Sequence, residues 1–372
     1  ETEKPRQLEM EFPIEELREA LYAKLVAKVG TRTYWESWAS DIADIASKHE
    51  TRIKALINDP DLGLGVEFDH FIEGLHATIN DSITRDDAVA MLSQHLITKP
   101  VFNTLFTDYD FTVNNPVSTA MQSMIDRLDD HSLEKETESL EGFYDSVRLR
   151  VEGIDNAAGK QRIITELYEG FFSKAFPKAA ESLGIVYTPV ELVDFVLHAT
   201  DHALRKHFDG TSISDEGVNV LDPFCGTGTF IVRLLQSGII KPEDFARKYA
   251  SELHSNELLL LAYYIAAVNI ESTYHDLLAE TGSNGNYDPF DGIVLTDTFQ
   301  LGESGAGTGT IDVFPVNNER ATQQRNLGIR VVVGNPPYSM GQTSQNDDNQ
   351  NLTYPRLDQS LAESYVQLSS VK

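Results

Sequence analysis

Apolar residues recur at helical spacing along the first part of the chain. Leu17, Leu21, Leu25 and Val26 predict a helix over residues 11–29. Thr84-x-x-Asp87 is a capping-box signal ahead of Ala88, Val89, Met91, Leu92 and Leu96, so another helix is predicted there. Asn115-Pro116 opens a third, with Val117, Met121, Met124, Ile125 and Leu128 on one face. Residues 129–141 are polar and mostly acidic, either a solvated helical face or a linker. Residues 153–159 read as a turn, and no strand alternation or short repeat stands out in this half.

From about residue 161 the character changes, and short apolar runs alternate with helical patterns. Strands are predicted at 218–221, 292–295 and 330–333, and helices at 230–235 and 258–270. Alternating βα units imply a mainly parallel, doubly wound sheet with helices on both faces, whose ligands sit beyond the carboxyl ends of the strands. The expected fold is α/β in class. A helical N-terminal domain, 1–160, precedes a doubly wound, Rossmann-like domain, 161–372.

The chain has 372 residues, 41% of them hydrophobic, which is enough for a packed core. No run of eighteen apolar residues is present, so no membrane span is expected. The first residues resemble neither a signal nor a transit peptide. The one cysteine, Cys225, excludes an internal disulfide framework and fits a reducing cytoplasm. The net charge of −28 argues against this chain gripping duplex nucleic acid by itself, because phosphate neutralisation supplies much of such affinity. Either the source has an acidic bias, or the main gripping part lies elsewhere.

Two motifs carry chemistry. The first is Asp222-Pro223-Phe224-Cys225-Gly226-Thr227-Gly228-Thr229-Phe230, between a strand and a helix. Its glycines allow a tight turn and a close approach to a ligand, and the helix start faces an anionic group such as a methionine carboxylate. It lacks the third glycine of the dinucleotide fingerprint and the Gly-Lys-Ser/Thr of a phosphate loop. The second is Asn335-Pro336-Pro337-Tyr338, after the strand at 330–333. The Asn335 side-chain oxygen and the Pro336 carbonyl can accept both N–H bonds of an exocyclic amine and direct its lone pair at an electrophilic methyl group. Two prolines stiffen the loop, and Tyr338 offers a face for a flipped-out base.

Together these motifs resemble the N6-adenine DNA methyltransferases. The resemblance implies S-adenosyl-L-methionine as cofactor, N6 of adenine in double-stranded DNA as acceptor, and Asn335, Pro336 and Tyr338 as catalytic residues. It implies that Tyr187, Thr188, Pro189, Asp222, Phe224, Gly226, Gly228, Phe230 and Asn335 face the cofactor. It places Glu257 on the ribose hydroxyls, with Glu252 as the alternative, and Asp297 near the cofactor's adenine ring. No metal site is expected, as the histidines show no ligand spacing. Cys225 reads as a packing residue, Gly305-Ala306-Gly307-Thr308-Gly309 as a surface loop, and 346–351 as a polar loop that either touches DNA or is solvated.

The preceding helices, Leu261-Ala262-Tyr263-Tyr264-Ile265-Ala266-Ala267 and Tyr354-x-x-Leu357-Asp358 are similar to the Type ISP single-polypeptide restriction-modification enzymes. In those a nuclease and an ATP-driven translocase join the methyltransferase through a helical coupler. No nuclease or helicase motif occurs here, so only methyl transfer carries over. The order of motifs puts further strands and the target-recognition region, with the main DNA contacts, downstream. The sheet is therefore expected to be incomplete at its C-terminus. Rival readings are a protein-glutamine or RNA amino-methyltransferase and a non-enzymatic coupling module on a methyltransferase scaffold. The intact Asp222, Gly226, Gly228, Asn335 and Tyr338 argue against the last.

Overall fold

The computed structural model describes residues 32–105, 111–129, 188–282, 287–303, 313–337 and 353–370. The helix expected over 11–29, nearly all of the acidic stretch to 141, the turn at 153–159, Tyr187, Tyr338 and the loops 305–309 and 346–351 lie outside these residues.

The first part is helical: α1 (Arg32–Ile57), α2 (Leu64–Thr78), α3 (Arg85–Leu105), α4 (Phe111–Asn114) and α5 (Pro116–Asp129). The predicted capping box starts α3. Thr84 N–H donates to Asp87 Oδ2 at 2.8 Å, and Asp87 N–H donates back to Thr84 Oγ1 at 3.1 Å. Asn115 caps α5 by accepting the N–H groups of Val117 and Ser118 at 3.1 and 3.0 Å. Val117, Met121, Met124, Ile125 and Leu128 are all buried, as their spacing requires.

The second part is built on four strands, β1 (Asn219–Asp222), β2 (Leu253–Glu257), β3 (Ile293–Leu295) and β4 (Ile329–Val332). Their order is β3-β2-β1-β4, and all neighbours are parallel. Apart from short helical turns within 242–252 and 300–302, the helices are α6 (Val190–His207), α7 (Thr229–Gln236), α8 (Leu260–Glu280), α9 (Pro315–Arg325), α10 (Pro355–Glu363) and α11 (Tyr365–Leu368). Strand order reverses between β1 and β4. The crevice beyond their carboxyl ends is therefore the topological switch point, where open α/β sheets receive ligands. The glycine loop follows β1, and Asn335 follows β4.

Three elements differ from expectation. The strand β2, Leu253-His254-Ser255-Asn256-Glu257, has no apolar alternation, yet every residue in it is buried, as befits a strand paired on both sides. The helix α8 runs ten residues past its predicted end at 270. Glu271, Ser272 and Thr273 read as a polar stop, but they are buried, and the Glu271 carboxylate accepts from Tyr287 Oη at 2.8 Å and Phe290 N–H at 3.0 Å. The helix α9 is too hydrophilic for its period to show. It is held by Asn317, whose buried amide pairs with both the N–H and the carbonyl of Leu295, each at 2.9 Å.

The helical region packs directly on the sheet unit. From Leu260 to Tyr274, α8 is buried all round, because the sheet covers one side and the helices of the first part cover another. The Tyr264 ring meets Phe102 and Phe111 edge-on, with centroids 5.9 Å away in each case. Its hydroxyl meets His95 Nδ1 at 3.0 Å, and His95 Nε2 lies 3.1 Å from Gln122 Oε1. Asn115 donates to the Tyr263 hydroxyl at 3.3 Å. Gly74 lets α2 approach Val313, since a Cβ there would overlap that side chain.

Burial lowers the His95 pKa to about 4, which keeps the ring neutral in the fold, while an unfolded histidine titrates near 6.5. The stability gained by holding it neutral is complete above pH 6.5 and is lost as pH falls through about 4. His95→Ala is expected to cost about 1–3 kcal/mol at pH 7.5 through its lost partners. The variant's stability should also decline less steeply than the wild type's between pH 6.5 and 4. Denaturant unfolding across that range checks both, and an unchanged acid limb would show that His95 does not carry it.

Candidate active site

The strand β1 delivers Asp222 to the carboxyl edge of the sheet with its side chain fully buried. Its Oδ1 accepts the Phe224 N–H at 3.2 Å, which starts the loop. Its Oδ2 is buried and meets no hydrogen-bond partner among the described residues. The loop then turns through Gly226 at φ +55° and Gly228 at φ +82°, both in the left-handed region that favours glycine. A Cβ on Gly228 would also stand 3.1 Å from Ala266 Cα of α8. Phe230 begins the buried face of α7 and sits in the core, so it anchors the loop by packing. Cys225 is buried as well, and burial together with the charges of Glu257 and Asp222 pushes its thiol pKa well up, which suits packing rather than nucleophilic attack.

Glu257 ends β2 beside this loop. Its Oε2 accepts the Gly226 N–H at 2.7 Å, and its Oε1 accepts the N–H groups of Leu258 and Leu259 at 2.9 and 2.8 Å. Glu252 stands at the other end of β2, where it accepts the Gly217 N–H at 2.7 Å and pairs with Arg247 and Lys248. That cluster ties the amino ends of β1 and β2 together, so Glu252 stands at the opposite edge of the sheet from the glycine loop.

Asp297 follows β3. Its Oδ1 accepts Phe299 N–H at 2.9 Å and Gln300 N–H at 3.4 Å, and its Oδ2 accepts Asn80 Nδ2 at 2.9 Å and Tyr354 Oη at 2.8 Å. Next to it Thr298 joins three strand ends: its hydroxyl donates to the Pro223 carbonyl at 2.6 Å and accepts from Asn256 Nδ2 at 3.2 Å. The Phe224 ring lies 5.2 Å from Phe299, and Phe299 lies 5.4 Å from Tyr354, which makes an aromatic row along this edge.

The Asn-Pro-Pro segment leaves β4 next to Asp222. A Cβ on Gly334 would come within 2.5 Å of Asp222 Oδ1, so only glycine lets the two loops close on one another. Asn335 Nδ2 donates to Thr188 Oγ1 at 3.0 Å, across 147 positions of sequence. Pro189 caps α6, and Pro336 is exposed at the surface of the loop. One edge of the sheet thus gathers Thr188, Pro189, Asp222, Phe224, Gly226, Gly228, Glu257, Asp297 and Asn335. Gly334, Asn80, Thr298 and Tyr354 belong to the same constellation. Gly334 is signalled only by standing between a strand and Asn-Pro-Pro, and Asn80 has no signal in the sequence.

Burial raises the Asp222 pKa to about 8, assisted by the charge of Glu257, and burial raises the Glu257 pKa to about 7 against its backbone hydrogen bonds. Two acids held this high, with an orphaned Oδ2 between strand and loop, favour a ligand that brings positive charge and hydroxyl donors. Among the described residues, no cluster of histidine, cysteine, aspartate and glutamate is placed to hold a metal ion, and no helix is long and apolar enough to cross a membrane.

With this geometry in place, comparison with known families gives two matches. Residues 34–159 match the coupler domain of Type ISP restriction-modification enzymes, and residues 159–367 match N-6 DNA Methylase. Among solved structures, the chain is 45% identical to a nuclease-deletion mutant of the Type ISP restriction-modification enzyme LlaGI in complex with a DNA substrate mimic. The TM-score is 0.83, over 96% of this chain and 29% of that one. It is also 45% identical to the ATP-dependent Type ISP restriction-modification enzyme LlaBIII bound to DNA, with TM-score 0.85 over 98% of this chain and 24% of that one. A DrdV–DNA complex is 32% identical, with TM-score 0.79 over 98% of this chain and 33% of that one. The chain therefore spans only a quarter to a third of the length of these relatives. No curated protein matches it. Since the methylase match takes in more than half of the sequence and includes both motif loops, the chain belongs to the N-6 DNA methylase family, with a Type ISP coupler region ahead of the methylase part.

Proposed function

We propose that this chain transfers a methyl group from S-adenosyl-L-methionine to N6 of a flipped-out adenine in double-stranded DNA, as the modification part of a longer restriction-modification polypeptide. The observation that carries this reading is the convergence of the Asp222 loop, Glu257 and Asn335 at the switch point of the sheet. In the proposed organisation, residues 1–160 are the coupler and 161–372 the methyltransferase core. The solved relatives include a nuclease-deletion mutant and an ATP-dependent enzyme, both with DNA or a DNA mimic. That supports nuclease and translocase parts elsewhere in the polypeptide. With a charge of −28, this part also leaves the main duplex contacts to a target-recognition region.

The site suits the cofactor on three counts. Its buried acids favour a sulfonium and an ammonium group, the glycine loop admits a close approach, and the Phe224–Phe299 row offers apolar surface to a purine. When bound, the cofactor supplies an electrophilic methyl group. The chain's own residues do the rest. Asp222 and the Gly226–Gly228 turn hold the methionine end, Glu257 accepts from the ribose hydroxyls, and Asp297 faces the adenine ring. Thr188 takes the Asn335 amide nitrogen, which fixes the amide plane and turns Oδ1 toward the acceptor amine. Asn335 Oδ1 and the Pro336 carbonyl accept the two N–H bonds of that amine, so its lone pair points outward. Tyr338 stacks on the flipped base.

Three outcomes test this reading. Asn335→Ala is expected to lower turnover about 100-fold or more, the scale of losing one preorganised polar contact, while cofactor affinity stays within about 2-fold. Near wild-type methylation of adenine-containing duplex by that variant would overturn the assignment. Thr188→Ala should reduce kcat and Thr188→Ser should restore most of it, since the serine keeps the hydroxyl that orients Asn335. Equal loss in both would mean that the methyl group of Thr188 matters rather than its oxygen.

The third outcome concerns pH. Ribose hydroxyls bind the ionised form of Glu257, so cofactor affinity should rise as pH increases through about 7. Asp222 acts in the same sense near pH 8. Glu257→Gln should weaken binding by about 1.5–3 kcal/mol at pH 8 and remove the limb near pH 7. Calorimetry from pH 5.5 to 8.5 reads both.

A further inference from the structure

Asn80 lies two residues past the end of α2, in the helical region, and is 3% exposed. Its side-chain oxygen accepts Ser82 N–H at 3.0 Å and Ser82 Oγ at 2.6 Å. With the oxygen committed to that turn, the amide nitrogen points out of the helical region and donates to Asp297 Oδ2 at 2.9 Å. The turn itself is fixed on both sides. His76 Nε2 meets the Ile83 carbonyl at 2.7 Å, Ile79 is buried, and Thr78 Oγ1 donates to Asn318 Oδ1 of α9 at 3.1 Å. Tyr354, from beyond the Asn-Pro-Pro loop, donates to the same Oδ2 at 2.8 Å while its ring rests on Phe299.

The two oxygens of Asp297 are therefore unequal. Oδ2 holds two short bonds from side chains rooted in distant parts of the chain. Oδ1 holds one short bond from Phe299 N–H and one long contact, 3.4 Å, from Gln300 N–H. The Gln300 contact at 3.4 Å is weak, so Oδ1 is the oxygen with a lone pair open to another donor.

We propose that Asn80 is a positioning residue of the cofactor pocket: with Tyr354 it pins Asp297 Oδ2, so that Oδ1 is presented to the exocyclic amine of the cofactor's adenine. The coupler region thereby supplies part of the methyltransferase site. This rests on the reading of Asp297 as the adenine-side acid.

Binding of S-adenosylhomocysteine, and of its analogue carrying hydrogen in place of the adenine amine, is to be measured by calorimetry on the purified protein. The proteins compared are the wild type, Asn80→Ala, Tyr354→Phe and Asp297→Asn. Asn80→Ala should weaken S-adenosylhomocysteine by about 5- to 30-fold, less than the roughly 10- to 150-fold of a hydrogen bond to a charged group lost outright, and should raise KM for S-adenosylmethionine more than it lowers kcat. For the analogue without the amine, the loss should shrink to within about 2-fold, since the missing N–H is the group that Oδ1 serves. A merely structural role for Asn80 would weaken both ligands alike, and that result overturns the proposal. So does full affinity in Asn80→Ala when Asp297→Asn binds poorly. If Asp297→Asn itself binds normally, the failure lies in the reading of Asp297. Tyr354→Phe keeps the ring on Phe299 and removes only the hydroxyl. Should Asn80→Ala not fold, the same amine-dependent loss in Tyr354→Phe supports the pinning of Oδ2, and no loss overturns it.

Discussion

The hydrogen bond from the Gly226 N–H to Glu257 holds the candidate site in shape. The glycines of this loop have no side chains with which to fasten it, and their backbone donors must find partners elsewhere. The neighbouring strand supplies them. Glu257 takes Gly226 with one oxygen and its own following turn, Leu258 and Leu259, with the other, while the Asn256 carbonyl takes Cys225 N–H at 3.0 Å. The cost is a buried acid whose pKa rises to about 7. A carboxylate so placed serves two purposes at once, because the charge that fastens the loop is also the charge that a hydroxyl-bearing cation would meet.

The parallel sheet makes this possible and the helical region makes it rigid. Because β1 is paired with β2 on one side and β4 on the other, three carboxyl ends open onto one crevice, and residues more than a hundred positions apart meet there. Thr298 then bridges from β3 to the Pro223 carbonyl. Behind the sheet, α8 would expose two tyrosines if it stood alone. Asn115 and His95 of the helical region engage their hydroxyls, and Phe102 and Phe111 pack on the Tyr264 ring. Buried hydroxyls without partners are costly, so the first part of the chain belongs to the stability of the second.

Much of this was legible in the sequence. Strands with apolar runs, the capping box at Thr84 and the Asn115 cap all follow local rules and are observed to within a residue or so. The two motif loops are legible for the same reason, since each is a contiguous signal. What escaped was set by burial that no local pattern reports. The strand β2 reads as polar from its serine, asparagine and histidine, which are enclosed between two neighbours, and α8 reads as stopping before Glu271, an acid that Tyr287 and Phe290 N–H satisfy inside the fold. The helix α9 owes its place to one asparagine bonded to a strand. Gly334 has an ordinary backbone conformation, and only the position of Asp222 explains why it carries no side chain.

The acidity of the chain takes on a different meaning at this scale. A net charge of −28 weighs against phosphate binding, but the charge is not spread evenly in its consequences. Asp222, Glu257 and Asp297 end three adjacent strands, all within the buried part of the molecule, where water does little to screen them. The charge of Glu257 raises the cost of ionising Asp222, and Arg247 and Lys248 are spent on Glu252 at the far edge of the sheet. Among the described residues no arginine or lysine charge offsets that of Asp222 or Glu257. Asp222 Oδ2 has no partner among the described residues, and two carboxyls have pKa values near the physiological range. A ligand carrying positive charge would lower both pKa values, and by linkage its binding would be coupled to release of protons from this edge. Duplex DNA, with the opposite charge, would gain nothing here except through the neutral base that the proposed reaction inserts. In the proposed reaction this arrangement would separate the two substrates by charge: the interior edge favours a cation, and the phosphate backbone would be left to surfaces with a basic character.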